Sequence, residues 1–444
     1  CAATVAVVTR VAPWVIASDY GLPEADPESV GMSAEKLAEI PKKLQPFIDS
    51  GQVPGFITVV ARDGKVVHFN TQGMMDVERQ KPMRPDTIFR MASMTKPITG
   101  VAVMILVDEG KVELQDPLSK YIPEFAEMEV LIENEDGTTK TVPADKPITL
   151  WHLMTHTSGL IYGLPVERPV LAKMYIEHGL TADAVYSLSS EEGVKRIAAV
   201  PLFRHPGAEF HYGFNMDILG RVVEVVSGQR YSDFLQERIF GPLGMKDSGF
   251  YVPPDKIDRF AASYSPQDGK MHLIDDPATS PFLKVPSQDS GGGGMVATAS
   301  DYLRFAQMLV NGGELDAVRI LSEEAVIEMT TEQLGPQYGD DTPLASLILH
   351  ASVIPLWRSP ATGVGYGYCG AVIKEGYDQI MFGSAGQYGW GGGASTDFWI
   401  DREQRLVGLI LTQLSPTGTY PTRSIMSTNA SGAIVKKYSS SDTD

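Results

Sequence analysis

The chain has 444 residues, more than one minimal core needs, so two structural lobes are expected. Apolar residues make up 43% and charged residues 21%, ordinary for a globular protein, while 37 basic against 55 acidic side chains leave a net charge of −18. That balance argues against nucleic acid or an anionic membrane as partner, since both select basic surface, and two cysteines, Cys1 and Cys369, support neither a disulfide framework nor a cysteine-rich metal site.

Residues 1–17 are apolar, but Arg10 and Pro13 interrupt them and they are too short to cross a bilayer. Val15-Ile16-Ala17 loosely resembles a signal-peptidase site and a leading Cys1 a processed lipoprotein end. A plain fragment end reads equally well, so a bacterial cytoplasmic protein and an exported, periplasmic one both stay open. No later stretch reaches 18 uninterrupted apolar residues, so no membrane span is expected. Residues 1–30 read as an N-terminal extension that ends in a polar, proline-containing lead-in. Ser33 then suits the cap of a helix with apolar positions Leu37, Ile40, Leu44, Phe47 and Ile48, kinked at Pro41. FITVVAR, a turn at Asp63-Gly64, and KVVHF predict a hairpin. Residues 98–111 predict a buried helix ending near Gly110, and Asp136-Gly137 marks a second hairpin. Shorter helices follow at 216–227 and 299–311, strand character returns over 366–413, and a closing helix is expected after Thr422. Hairpins at both ends with a helical middle predict an α+β fold. Residues 31–120 and 351–444 would build one antiparallel sheet domain flanked by helices, and 121–350 a mostly helical inserted domain, with the site between them.

An unassisted serine hydroxyl needs a neighbouring base to act as a nucleophile, and a lysine three residues on along a helix lies on the same face. At serine and lysine frequencies of roughly 6–7% each, a chain this long carries about one or two Ser-x-x-Lys matches by chance. It carries Ser33-Ala-Glu-Lys36 and Ser93-Met-Thr-Lys96, so context must choose. Ser33 sits where a helix needs a cap. Ser93 follows the extended run TIFRMA and opens the apolar helix, where its own N–H suits an oxyanion, although capping alone would also account for it locally. Pro97 is tolerated there because first-turn N–H groups lack intrahelical partners.

Five stretches carry a resemblance: PDTIFRMASMTKPITGVAVMILVDEGKVELQDPLSKYIPEF, ITLWHLMTHTSGL, YGFNMDILGRVVEVVSG, GGGGMVATASDYLRFAQMLVNGG and YGWGGGASTDFWID. Through them the chain, from about residue 30 to 415, resembles the serine β-lactamase-like superfamily of class C β-lactamases, D-alanyl-D-alanine peptidases and family VIII carboxylesterases. The resemblance implies Ser93 as nucleophile and Tyr212 as the tyrosine of the second motif, sharing the serine proton with Lys96. His211 is a weaker rival as the base. Trp390-Gly391-Gly392-Gly393 stands where lactamases and peptidases carry a Lys or His followed by Thr-Gly, which is the pattern of family VIII esterases. By position, the N–H of Gly393 would complete the oxyanion hole with that of Ser93, Gly391 and Gly392 would let the strand approach closely, and Trp390 would wall the pocket. Phe214 stands where lactamases place an amide-binding Asn, with Asn215 one position further on. Phe and Trp at two formerly polar positions imply an apolar acyl or alkyl group.

Other signals are weak. Gly-x-Ser-x-Gly is absent, and His152-Leu-Met-Thr-His156 has a zinc-helix spacing without the adjacent Glu, so both histidines read as structural near the HTSG turn. Gly365–Gly370 satisfies GxGxxG without a following βαβ pattern, and Gly291–Gly294 reads alone as a flexible hinge, whereas the resemblance implies a turn behind the active-site strand. No metal and no organic cofactor are implied. By resemblance to family VIII, the expected activity is a serine carboxylesterase acting on small short-acyl-chain esters through an acyl-enzyme on Ser93, with weak β-lactam hydrolysis or acyl transfer from the same parts. A β-lactamase or D-alanyl-D-alanine peptidase is the alternative, and a non-catalytic binding or scaffold protein the second. The partner implied is a small-molecule ester; the oligomeric state stays open.

Overall fold

The computed structural model describes residues 20–134, 136–163, 169–181, 186–335, 338, 363–375 and 384–438; the segment behind the export reading, 1–17, lies outside them. Strand β1 (Gly55–Arg62) shows how the layers arise. All eight of its residues are buried. Ile57, Val59 and Ala61 join the larger core, while Phe56 and Val60 join a second one on the opposite face. A strand covered on both faces has no polar alternation to display, which is why FITVVAR reads as a continuous apolar run.

The sheet has eight strands: β1, β2 (Lys65–Asp76), β3 (Lys81–Pro82), β4 (Val364–Tyr366), β5 (Ala371–Ile373), β6 (Tyr388–Gly391), β7 (Asp397–Asp401) and β8 (Leu406–Leu411). Their order is β4-β5-β6-β7-β8-β1-β2-β3, and the pairings are antiparallel. The two ends of the chain meet at β8 and β1, where Ile57 lies opposite Leu411 and Arg62 opposite Leu406. Asp63 and Gly64, with φ of 51° and 70°, supply the left-handed pair a two-residue hairpin requires. This is the antiparallel sheet with flanking helices of the expected α+β class.

On the outer face lie α1 (Ala34–Leu37), α2 (Glu39–Asp49) and the closing helix, α7 (Thr422–Gly432), around Leu37, Ile40, Leu44 and Met426. Ser33 caps α1 through the Lys36 N–H at 3.3 Å, the structural role expected of it. The expected kink at Pro41 falls instead at Ala38, between α1 and α2. A proline ring collides with the carbonyl four residues back, here that of Leu37, so the first helix ends there and Pro41 sits in the first turn of the second.

On the inner face α3 (Thr95–Asp108) is buried from Thr95 through Leu106, the all-round burial of a core helix. It begins three residues before the expected start and stops at Asp108, two residues ahead of Gly110 at φ 65°. Helices α4 (Leu150–Met154), α5 (Asn215–Ser227) and α6 (Ala299–Val310) follow, the last two within a residue of expectation. Helix α6 packs on β7 and β8, and α5 on α3. The Asp136-Gly137 hairpin joins Glu129–Glu133 to Thr139–Pro143, while a third hairpin, Ser263–Gln267 with Lys270–Asp275, was not expected. Among the described residues no helix is long and apolar enough to cross a membrane.

Candidate active site

Ser93 sits in a single 3₁₀ turn, Ala92–Met94, that runs straight into α3. The turn is held from several directions. Met91 N–H donates to the Met295 carbonyl at 2.9 Å, Thr95 Oγ1 to the Ala92 carbonyl at 2.7 Å, and Tyr302 OH to the Met94 carbonyl at 2.9 Å. Ala92 adopts φ 46°, a left-handed conformation that costs a side-chain-bearing residue about 1 kcal/mol and persists where surroundings over-determine it. Among the described residues the N–H groups of Ser93 and Gly393 have no protein acceptor.

One turn along α3, the fully buried Lys96 points back at the serine. Its Nζ lies 3.1 Å from Ser93 Oγ, 2.5 Å from the Gly292 carbonyl and 3.3 Å from Tyr162 OH, which uses all three ammonium donors. It also stands 4.5 Å from the ring centroid of Tyr212, within cation–π range. Tyr212, from the stretch before α5, is wedged among His156 at 4.7 Å, Tyr162 at 5.6 Å and Trp390 at 5.8 Å between ring centroids. Its hydroxyl accepts a long hydrogen bond, 3.4 Å, from Trp390 Nε1. His211 is turned elsewhere, with Nε2 2.9 Å from Glu209 Oε2 and its ring against Phe203.

Strand β6 and the two residues after it pass beside the Ser93 turn, and the glycines at 391–393 do unequal work. A Cβ on Gly392 would stand 2.3 Å from the Met91 carbonyl oxygen and 2.2 Å from Thr396 Oγ1, and one on Gly391 2.6 Å from Asp397 Oδ2. A Cβ on Gly393 would meet nothing within 4 Å. The close approach expected of the three glycines is thus real at 391 and 392, whereas packing places no demand on 393. Trp390 is 3% exposed and packs edge-on against Tyr366 and tilted against Tyr212. Phe214 is buried behind Tyr162, edge-on at 4.8 Å, and stacks on Tyr175. Asn215 is also buried, accepting from Ser158 Oγ and donating to His156 Nδ1 at 2.8 Å.

Three participants escape a reading of the sequence. Tyr162 reaches Lys96 from the loop after HTSG, a single aromatic with no motif around it. The Gly292 carbonyl reaches it from the stretch read as a turn behind the strand. Gly291 and Gly292 press against the start of α5, where a Cβ would fall 2.4 Å from the Met216 carbonyl oxygen and 2.6 Å from Asp217 Oδ2. Asp217, the third, accepts from Ser290 Oγ at 2.6 Å and Gly292 N–H at 3.3 Å. Burial pushes its carboxyl above the usual range, and it pushes the Tyr162 phenol well up too. Of the two histidines, His152 joins Thr149 in a capping box at the start of α4, whereas His156 lies against the Tyr212 ring. Burial, with the Lys96 charge nearby, holds His156 neutral. Among the described residues no cluster of His, Cys, Asp and Glu could hold a metal ion.

The chain is 34% identical to Protein Rv1367c of Mycobacterium tuberculosis over 84% of its length and 89% of that protein. It is 30% identical to Esterase EstB of Burkholderia gladioli over 88% of its length and 94% of that enzyme. The solved structure of EstCE1, a hydrolase with promiscuous acyltransferase activity, superposes with a TM-score of 0.72 at 26% identity, covering 90% of this chain and 99% of the other. The family model described as Beta-lactamase matches residues 40–427. The chain belongs to the Beta-lactamase family, alongside esterases and acyltransferases of the serine hydrolase fold.

Proposed function

We propose that the protein is a serine carboxylesterase of the family VIII kind, acting on small esters with short acyl chains. The observation that carries this reading is Lys96, whose Nζ stands 3.1 Å from Ser93 Oγ and 4.5 Å from the Tyr212 ring centre. Ser93 Oγ attacks the ester carbonyl and its proton passes to the Lys96 and Tyr212 pair. The tetrahedral oxyanion lies between the N–H groups of Ser93 and Gly393. Tyr212 returns the proton to the departing alcohol, and a water repeats the sequence to release the acid. The tryptophan and glycines at 390–393 favour an ester over a lactam acid. Among the described residues Lys96, with its three donors already committed, is the one cation of the constellation, and none of the others is a cation left to grip a substrate carboxylate. A second reading, acyl transfer, needs only another alcohol in place of water, and the likeness to EstCE1 favours it. Acetyl and butyryl p-nitrophenyl esters and a chromogenic cephalosporin, offered to wild type and Ser93→Ala with and without added alcohol, test both. Ester turnover well above lactam turnover and lost in the variant is expected. Lactam turnover equal to or above ester turnover would reverse the assignment.

A further inference from the structure

Five residues after Tyr212, in the first turn of α5, Asp217 lies 3% exposed in the core beside the site. Its Oδ1 takes the hydrogen bonds from Ser290 Oγ and Gly292 N–H, and its Oδ2 is buried with no partner among the described residues. Gly292 is thereby held at both ends, its N–H by Asp217 and its carbonyl by Lys96 Nζ at 2.5 Å. The glycine is itself a consequence, since Oδ2 occupies the space a Cβ would need, 2.6 Å away. A buried carboxylate with one oxygen unsatisfied is costly, and such a group persists where its charge serves another. The groups facing it are Lys96 of α3, Tyr162, Tyr186 and Tyr231, and of these Lys96 is the cation that attracts it.

We propose that Asp217 is a positioning residue and buried counter-charge for Lys96. Through Gly292 it fixes where the ammonium sits, and through its charge it sets the pH at which Lys96 and Tyr212 can take the Ser93 proton. The inference rests on the roles proposed above for those three residues. Removing the anion leaves the lysine cation without its attraction, so the protonated form is disfavoured and the base persists to lower pH.

The test is the pH dependence of Ser93 phosphonylation by diethyl p-nitrophenyl phosphate, which needs an activated serine but no ester turnover, with p-nitrophenyl butyrate hydrolysis followed alongside. Asp217→Asn can still accept from Ser290 and Gly292 while losing the charge. Its acid limb is expected to move to lower pH by about one unit. Ser290→Ala keeps the charge while removing one of the carboxylate's hydrogen bonds and the acceptor of the Gly293 N–H, so its rate falls with the limb in place. An unmoved limb in Asp217→Asn, or an equal movement in Ser290→Ala, overturns the proposal. If Asp217→Asn does not fold, Asp217→Ser, which leaves room for water, carries the same two outcomes. Wild type that is phosphonylated but hydrolyses no ester overturns the esterase reading alone, and wild type that is not phosphonylated overturns both.

Discussion

Lys96 is the residue on which the site converges. An ammonium buried away from water is expensive, and here the cost is offset by three hydrogen bonds and the face of an aromatic ring. Tyr212 is the more exposed member of the pair, which suits the role proposed for it, of meeting both the serine and a leaving alcohol. Tyr212→Phe keeps the ring packed among His156, Tyr162 and Trp390 but removes the phenol. Its kcat on p-nitrophenyl butyrate should fall by about 10²–10⁴ with thermal stability close to wild type. Trp390→Phe removes the 3.4 Å donor to Tyr212 OH together with part of the ring packed on Tyr366; the lost hydrogen bond, worth about 1 kcal/mol or less, should by itself lower kcat roughly fivefold or less. A larger fall for Trp390→Phe than for Tyr212→Phe would show that the indole, not the phenol, handles the proton.

Between residue and fold stands the contact of one turn with one strand. The Ala92–Met94 turn holds its left-handed residue because Met295, Thr95 and Tyr302 bind it from three sides and β6 closes the fourth. The approach of β6 is set at Gly392, where a methyl group would strike the Met91 carbonyl oxygen at 2.3 Å. Gly392→Ala should therefore lower stability by about 1–3 kcal/mol, as overpacking does, and depress activity as the turn shifts. Gly393→Ala has open space and should unfold at the same urea concentration as wild type. Denaturation midpoints of the two variants, side by side, check this. Gly393→Ala destabilised as much as Gly392→Ala would mean that the strand lies elsewhere.

At the scale of the whole molecule, histidines couple folding to pH. His68 on β2 touches Thr58 Oγ1 at 2.8 Å, and burial pushes it down to about 4; His152 is pushed down to about 4 by burial first and the Lys146 charge second. In the unfolded chain each titrates near about 6.5, so the unfolded state binds more protons between about pH 4 and 6.5. Stability is thus retained above that window and lost as pH falls through it. His68→Gln should gain on wild type by about 2–3 kcal/mol between pH 7 and pH 4, read from urea unfolding at each pH. An equal difference at both pH values would show that His68 charges freely in the folded protein.

The elements with strong local signals were legible in the sequence: the β1–β2 hairpin from Asp63-Gly64, the core helix behind Ser93, the cap at Ser33, and α5 and α6 to within a residue. Each depends on periodicity, capping or turn chemistry, which act over a few residues. The Ser-x-x-Lys spacing was legible as one helical turn, but it occurs twice, and the resemblance of the surrounding stretches chose Ser93 over Ser33. What the sequence could not contain is the company Lys96 keeps. Tyr162, the Gly292 carbonyl and Asp217 arrive from segments 66 to 196 residues distant, and no motif in the sequence marks any of them as part of the site. Their meeting is decided where the sheet closes between the two ends of the chain and the glycine stretch 291–294 settles on the start of α5, because contacts across such separations depend on the whole fold and on no local preference.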